Sequence, residues 1–188
     1  MTVLAVNGSP RAGGNTAVML EWVLDELTQA GFNTELAQIG GQPVRGCLAC
    51  GSCAKLKACS QKDAISELTP QIFRARAVVL GSPVYFSDLT PELKALIDRV
   101  GFVNIHSGSP LRRKVGAAVA VARRAGHVHT LDSINHFFGI TEMITVGSSY
   151  WNMGFGVEKG DVRDDEEAQR TMRVLGRNIA WLLKKIHG

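Results

Sequence analysis

The sequence predicts an α/β protein: a doubly wound, five-stranded parallel sheet with helices on both faces. Three observations predict it. Short apolar runs recur along the chain, several of them rich in β-branched residues. Segments with apolar residues at helical spacing separate these runs, and turns carrying glycine, serine or proline follow most of them. Strands joined through helices lie parallel, because each helix carries the chain back across the sheet.

The first run is VLAVNG, Val3–Gly8, which ends in a Gly/Ser/Pro turn. A helix is expected from Thr16 to Ala30, with Leu20, Val23, Leu24 and Leu27 on one face and Gly31 as its stop. NTELAQIG, Asn33–Gly40, alternates as a second and more exposed strand. A cysteine-rich loop follows at residues 46–60, then a helical stretch from about Asp63 to Arg76. AVVLGSP, Ala77–Pro83, is apolar enough for a central parallel strand. Thr90 to Val100 reads as a helix with Pro91 in its first turn, Lys114–Ala122 as the fourth strand, and His129–Phe138 as a helix. Thr141–Gly147 is the expected fifth strand. The last helix, Asp164–His187, carries a stripe at Ala168, Met172, Leu175, Ile179, Leu182 and Ile186. Its acidic start suits the positive end of a helix dipole, and a solvated cap accounts for it.

With 188 residues, no internal repeat and no low-complexity linker, the chain is expected to form one domain over residues 1–188. Its 45% hydrophobic and 20% charged content is ordinary for a globular protein. A net charge of +4, scattered and without interleaved aromatics, argues against nucleic acid as a partner but suffices for a small anion. The opening TVLAVNGSP has neither a basic leader nor an apolar segment long enough for a signal peptide or a membrane span. The expectation is therefore a cytoplasmic protein off the membrane, with its thiols reduced.

In parallel sheets, ligands bind beyond the carboxyl ends of the strands. Here that means the segments after Val6, Leu80, Ala120 and Val146. NGSPRAGGNT, Asn7–Thr16, offers side-chain donors at Ser9, Asn15 and Thr16, backbone access at Gly13 and Gly14, and positive charge at Arg11. A helix N-terminus adds unpaired N–H groups, and together these make an anion site sized for one phosphate. Neither a Walker loop nor a G-x-G-x-x-G dinucleotide fingerprint is present. After the third strand, SPVYFSDLT offers an apolar and aromatic face of the kind a flat heteroaromatic ring packs on. After the fourth, ARRAGH carries Arg123 and Arg124. His127, His129 and His136 match no common metal-ligand spacing.

All four cysteines, Cys47, Cys50, Cys53 and Cys59, fall within thirteen residues at C-x2-C-x2-C-x5-C spacing. Disulfides would close only tiny loops, so metal binding or redox chemistry is the better reading. Structural zinc usually uses two separated knuckles. Three cysteines in close succession, loosened by Gly46 and Gly51, suit the splayed corners of a cubane. A redox-active or empty cysteine loop stays open beside both. Lys55 and Lys57, between the third and fourth cysteines, either offset the negative charge of a thiolate-bound group or are simply solvated.

Taken together, GSPRAGGNT, GSPVYFSDLTPELKALIDR and GSSYWNMGFG resemble the NADPH-dependent FMN reductase family, whose fold is flavodoxin-like. The cysteine cluster, with its short C-x5-C closure, is most similar to the iron–sulfur flavoprotein branch. The resemblance covers nearly the whole chain. It implies FMN held by Ser9, Arg11, Asn15 and Thr16 at its phosphate and by Pro83, Val84, Tyr85, Phe86 and Ser87 along its ring. Backbone N–H groups of that second loop would then lie near N5 and O4. Position 87 is serine where relatives often carry glycine. Arg123 or Arg124 would stabilise the charge of reduced flavin near N1 and O2, the alternative being two solvated loop arginines. Cys47, Cys50, Cys53 and Cys59 would hold a 4Fe-4S cluster, and the flexible Ser149–Gly156 segment, with Trp151 and Phe155, would cover the flavin or join a homodimer or dimer of dimers.

The first functional expectation is an oxidoreductase moving electrons between FMN, the cluster and a redox partner such as ferredoxin or a small-molecule acceptor. The alternative is an NAD(P)H-dependent FMN or quinone reductase whose cysteine loop carries no cluster, with NAD(P)H as electron donor. A non-catalytic flavin- or zinc-binding protein would leave the ring-facing loops unexplained.

Overall fold

The computed structural model describes residues 1–187. Six strands form one parallel sheet: β1 (Thr2–Asn7), β2 (Asn33–Gln38), β3 (Ala77–Pro83), β4 (Val115–Ala122), β5 (Ile144–Thr145) and β6 (Met153–Phe155). The order is β2-β1-β3-β4-β5, with β6 also paired to β4. Helices α1 (Asn15–Gln29), α2 (Cys53–Leu56), α3 (Ala64–Arg74), α4 (Pro91–His106), α5 (His127–Ile140) and α6 (Glu166–His187) make up the rest, with a 3₁₀ turn at Asp161–Asp164. This strand order is the flavodoxin-like one, and it reverses direction between β1 and β3.

The central strands are apolar on both faces because both faces are covered. Val3 and Ala5 of β1, Val79 of β3 and Val115, Ala117, Val119 and Val121 of β4 pack under α1 and α6. The alternate residues Leu4, Val6, Val78, Leu80, Ala118 and Ala120 pack under α3, α4 and α5. A one-residue register slip would exchange these two sets, so the period of two pins the pairing. No helix among the described residues is long and apolar enough to cross a membrane.

Three expectations change. The fifth strand is split: β5 keeps two residues paired to the start of β4, and the segment expected to be flexible returns as β6, paired to the end of β4. Between them Asn152 stands in for the missing strand, its amide donating to the Ala118 carbonyl at 2.9 Å and its carbonyl accepting from Ala120 N–H at 3.0 Å. Helix α4 runs on to His106, six residues past the expected end, because Val103 and Asn104 are buried. In α6 the stripe drifts: Ala168, Met172, Leu175 and Ile179 are buried as expected, but Leu183 rather than Leu182 completes it, and Ile186 is exposed. A 3.6-residue period moves the inward face by that one position over four turns.

Candidate functional site

The turn after β1 is held from three sides. Asn7 accepts the Ser9 N–H at 3.0 Å, and Ser9 Oγ accepts the Arg11 N–H at 3.2 Å. Gln38, at the end of β2, accepts from Asn7 and donates to the Ser9 carbonyl. Thr90, at the start of α4, donates to the Gly8 carbonyl at 2.8 Å. A side chain on Gly40 would collide with the Gly8–Ser9 backbone, so glycine there lets β2 close on the turn. Helix α1 then begins at Asn15 with no side-chain cap. Its first-turn N–H groups are thus left for an anion rather than spent on a cap.

A cavity of about 250 Å³ opens on this turn. Ser9, Arg11, Asn15, Thr16, Pro83, Val84, Tyr85 and Arg123 line it, so eight of the ten residues expected from the resemblance come together. Phe86 and Ser87 do not line it. They form the tip of a tight turn in which Tyr85 and Asp88 exchange backbone hydrogen bonds at 2.7 and 3.0 Å. Both tip residues have left-handed backbone, φ 48° and 69°. Ser87 thus holds a conformation that glycine adopts freely. Gly126 packs against this turn: a Cβ on it would stand 2.7 Å from Val84 Cγ1.

Sequence reasoning missed a strap. Residues 156–160 lie across the turn after β1, bound by Arg11 Nη1 to the Val157 carbonyl and Asn15 Nδ2 to the Glu158 carbonyl, each at 2.8 Å. Asn15 Oδ1 in turn accepts the Gly160 N–H at 2.7 Å. The Lys159 ammonium ends 3.6 Å from where a Cβ of Gly13 would be, so a third cation stands over the turn. Nothing in the local sequence pairs residue 15 with residue 158.

Of the three histidines, His127 is buried, its Nε2 3.0 Å from the Gly154 carbonyl and its ring edge-on to Phe155. Burial holds its pKa below the ordinary value, so neutral Nε2–H donates to that carbonyl. His129 and His136 are exposed, and the three do not form a ligand set.

The cysteine loop leaves the carboxyl edge of the sheet and descends along α4. Gly41 N–H donates to Glu92, Arg99 donates to the Arg45 carbonyl, and Ser107 donates to the Lys57 carbonyl. Left-handed backbone at Ala49, Gly51 and Lys57 turns the loop, and α2 is one helical turn inside it. All four cysteines line one cavity of about 150 Å³, walled by Leu48, Phe102 and Val103. The sulfurs meet N–H and O–H groups: Ala49 N–H to Cys47 at 3.4 Å, Ser60 Oγ to Cys50 at 3.4 Å, and Arg99 Nε to Cys59 at 3.3 Å. Hydroxyls of Ser52 and Ser60 draw the Cys50 thiol down to about 7. One tetrahedral ion needs every sulfur about 2.3 Å from a single point. Among the described residues no three candidate ligands converge on one such point, and the four cysteines share the lining of one cavity.

Asp63 closes the loop. It caps α3, accepting the Ile65 and Ser66 N–H groups, and grips Arg99 at 2.6 and 2.8 Å. Arg99 hydrogen bonding, against the opposing effect of burial, holds its carboxyl below the usual 3.8. A depressed carboxylate stabilises the fold fully above the unfolded value and loses that stabilisation as pH falls through the lower folded one. Hydrogen exchange at the Ile65 and Ser66 amides is therefore expected to accelerate only below about pH 3.8, and in Asp63→Asn the acid step should vanish.

Residues 1–158 match the NADPH-dependent FMN reductase family. An iron-sulfur flavoprotein of Methanocaldococcus jannaschii is 35% identical across 99% of each chain. One of Archaeoglobus fulgidus is 31% identical over 96% of this chain and 79% of its own length. Among solved structures, a WrbA-like flavodoxin from Agrobacterium tumefaciens superposes with TM-score 0.70 at 16% identity, covering 98% of this chain and 97% of its own. An archaeal flavodoxin superposes with TM-score 0.66 at 14% identity, covering 98% and 99%. At such identities these two structures speak for the fold alone.

Proposed function

The chain belongs to the NADPH-dependent FMN reductase family, and from that premise we propose that it is an FMN redox protein of the iron–sulfur kind. Cys47, Cys50, Cys53 and Cys59 hold a 4Fe-4S cluster, and electrons pass between FMN, the cluster and a partner protein such as ferredoxin. The observation that carries this reading is that all four cysteines line one apolar-walled cavity. When bound, FMN supplies one- and two-electron chemistry and the cluster single-electron transfer.

The chain's own residues do the rest. The uncapped α1 start, Ser9, Thr16 and Lys159 bind the phosphate, while Arg11 and Asn15 hold the strap over it. Pro83, Val84 and Tyr85 give the ring an apolar wall, and Arg123 brings positive charge to the same cavity. Phe86 and Ser87 aim the backbone of their turn rather than line the wall. Removing the Lys159 charge tests the phosphate assignment. Lys159→Gln is expected to weaken FMN about fivefold, the scale of an exposed ion pair, and to leave riboflavin affinity unchanged in a fluorescence titration.

Partner choice follows from charge. From Leu36 to Lys62 the chain has no acidic residue, and Arg45, Lys55, Lys57 and Lys62 share that segment with the exposed Leu56 and with the exposed Leu48, which lines the cysteine cavity. Such a segment fits an acidic redox protein. An apolar face along α4 and α5, with Phe102, Ile105 and Ile140 exposed, supports a homodimer or dimer of dimers.

The deciding experiment is anaerobic purification followed by counts of iron, sulfide, zinc and flavin per chain. Iron with flavin, and electron exchange with reduced ferredoxin that slows as salt rises, supports the carrier. Flavin without iron, oxidising NADPH briskly, would instead establish an NAD(P)H-dependent flavin or quinone reductase.

A further inference from the structure

Arg99 has the largest of the fully buried side chains, 1% exposed, yet it lies beside the most open loop of the molecule. Each of its N–H groups has an acceptor. Nη1 donates to Asp63 Oδ2 at 2.6 Å and to the Arg45 carbonyl at 3.1 Å; Nη2 donates to Asp63 Oδ1 at 2.8 Å and to the Gln61 carbonyl at 3.4 Å. The remaining donor, Nε–H, points at Cys59 Sγ, 3.3 Å away. One guanidinium thus ties the chain before the first cysteine, the last cysteine and the chain after it to the middle of α4. A lysine ammonium at this depth could not span those acceptors, since its donors radiate from a single atom.

Asp63 balances the guanidinium, and with that pair made a structural role needs nothing more. The bond to sulfur is what remains unexplained. Burying a cation costs several kcal/mol unless its partners repay it, and here one partner is a thiol in the cavity that the other three cysteines line.

We infer that Arg99 is the positioning and charge-setting residue of the cysteine pocket: it fixes the loop and holds a permanent positive charge and a hydrogen bond against Cys59. The inference rests on the cluster reading and extends it. A hydrogen bond to a ligating sulfur and a nearby cation both favour the more negative, reduced state of an iron–sulfur centre, because each offsets the added electron. Asp63 acts in the opposite sense, as the counter-charge that limits the effect.

The test is a redox titration of anaerobically isolated protein, following the cluster by electron paramagnetic resonance, with iron and FMN counted in each variant. Arg99→Gln is expected to lower the midpoint potential by at least about 59 mV, the one-electron equivalent of a tenfold lost preference for the reduced state. Asp63→Asn keeps an N-cap residue on α3 and leaves the guanidinium uncompensated, so its potential is expected to rise. Both substitutions break the same ion pair, so opposite shifts report charge whereas mere loosening would move both one way. If Arg99→Gln loses its iron, the anchoring role is supported and Asp63→Asn decides the charge role: a rise supports it, and no shift or a fall overturns it. Iron-replete variants with unshifted potentials would overturn the role of Arg99 alone. Wild-type protein without iron would instead refute the cluster reading beneath it.

Discussion

Alanine at position 50 is expected to strip the iron from the protein and leave its flavin in place. Cys50 is exposed at the mouth of the cavity, so deleting its sulfur opens no void in the core and breaks only its contacts with serine hydroxyls. The cavity proposed for FMN is separate: among the described residues the two cavities share no lining residue. Helix α4 measures the gap. Thr90 before its start bonds the phosphate turn, whereas Arg99, Phe102, Val103 and His106 line the cysteine cavity. Nine residues from Thr90 to Arg99 are roughly 14 Å of helix at 1.5 Å per residue. In Cys50→Ala, iron and sulfide per chain should fall to near zero while the FMN dissociation constant stays within about twofold, under 0.5 kcal/mol. A variant that kept its iron would remove Cys50 from the ligand set, and one that lost FMN would show the two sites to be one.

The second large effect is expected at Gly156. A methyl group there would collide with the Asn15 amide and stand 3.2 Å from the Val162 nitrogen, both of them backbone or anchored atoms. Asn15 cannot simply rotate away, because its amide and carbonyl hold Glu158 and Gly160 of the strap. The strap must lift, and with it Lys159 leaves the turn. Two hydrogen bonds at about 1 kcal/mol each are at stake, together with the cation. Gly156→Ala is therefore expected to raise the FMN dissociation constant by at least about tenfold, or 1.4 kcal/mol, with iron content unchanged. Flavin fluorescence quenching measures it. Unaltered affinity would mean that the strap moves freely and contributes nothing to binding.

Which parts of the site were legible follows from sequence distance. The phosphate turn was, because Ser9, Arg11, Asn15 and Thr16 lie within eight positions and their grouping needs only a strand to end and a helix to begin. The wall of Pro83, Val84 and Tyr85 was too, since it follows directly from the end of a strand. Phe86 and Ser87 were placed along the ring by the family resemblance, and neither lines the cavity. The backbone there turns left-handed at both residues, which takes the chain out of the strand's extended path. Lys159 and Arg99 were not legible at all. Lysine on a glycine-rich loop and arginine on an amphipathic helix are ordinary surface residues until the fold supplies their neighbours.

By itself, the sequence determined the strand and helix order, the polar, glycine-rich turn after the first strand and the compact thiol spacing, because burial period, turn chemistry and ligand spacing are set by residues close along the chain. Only the tertiary structure decided that the cysteine loop descends along α4, that Asn152 completes the edge of a split fifth strand, and that two distant residues, Lys159 and Arg99, reach the two cavities. Those outcomes depend on hydrogen bonds between distant partners, such as Arg11 and Val157, 146 positions apart. Local preference carries no information about such pairs; packing two layers onto one sheet does.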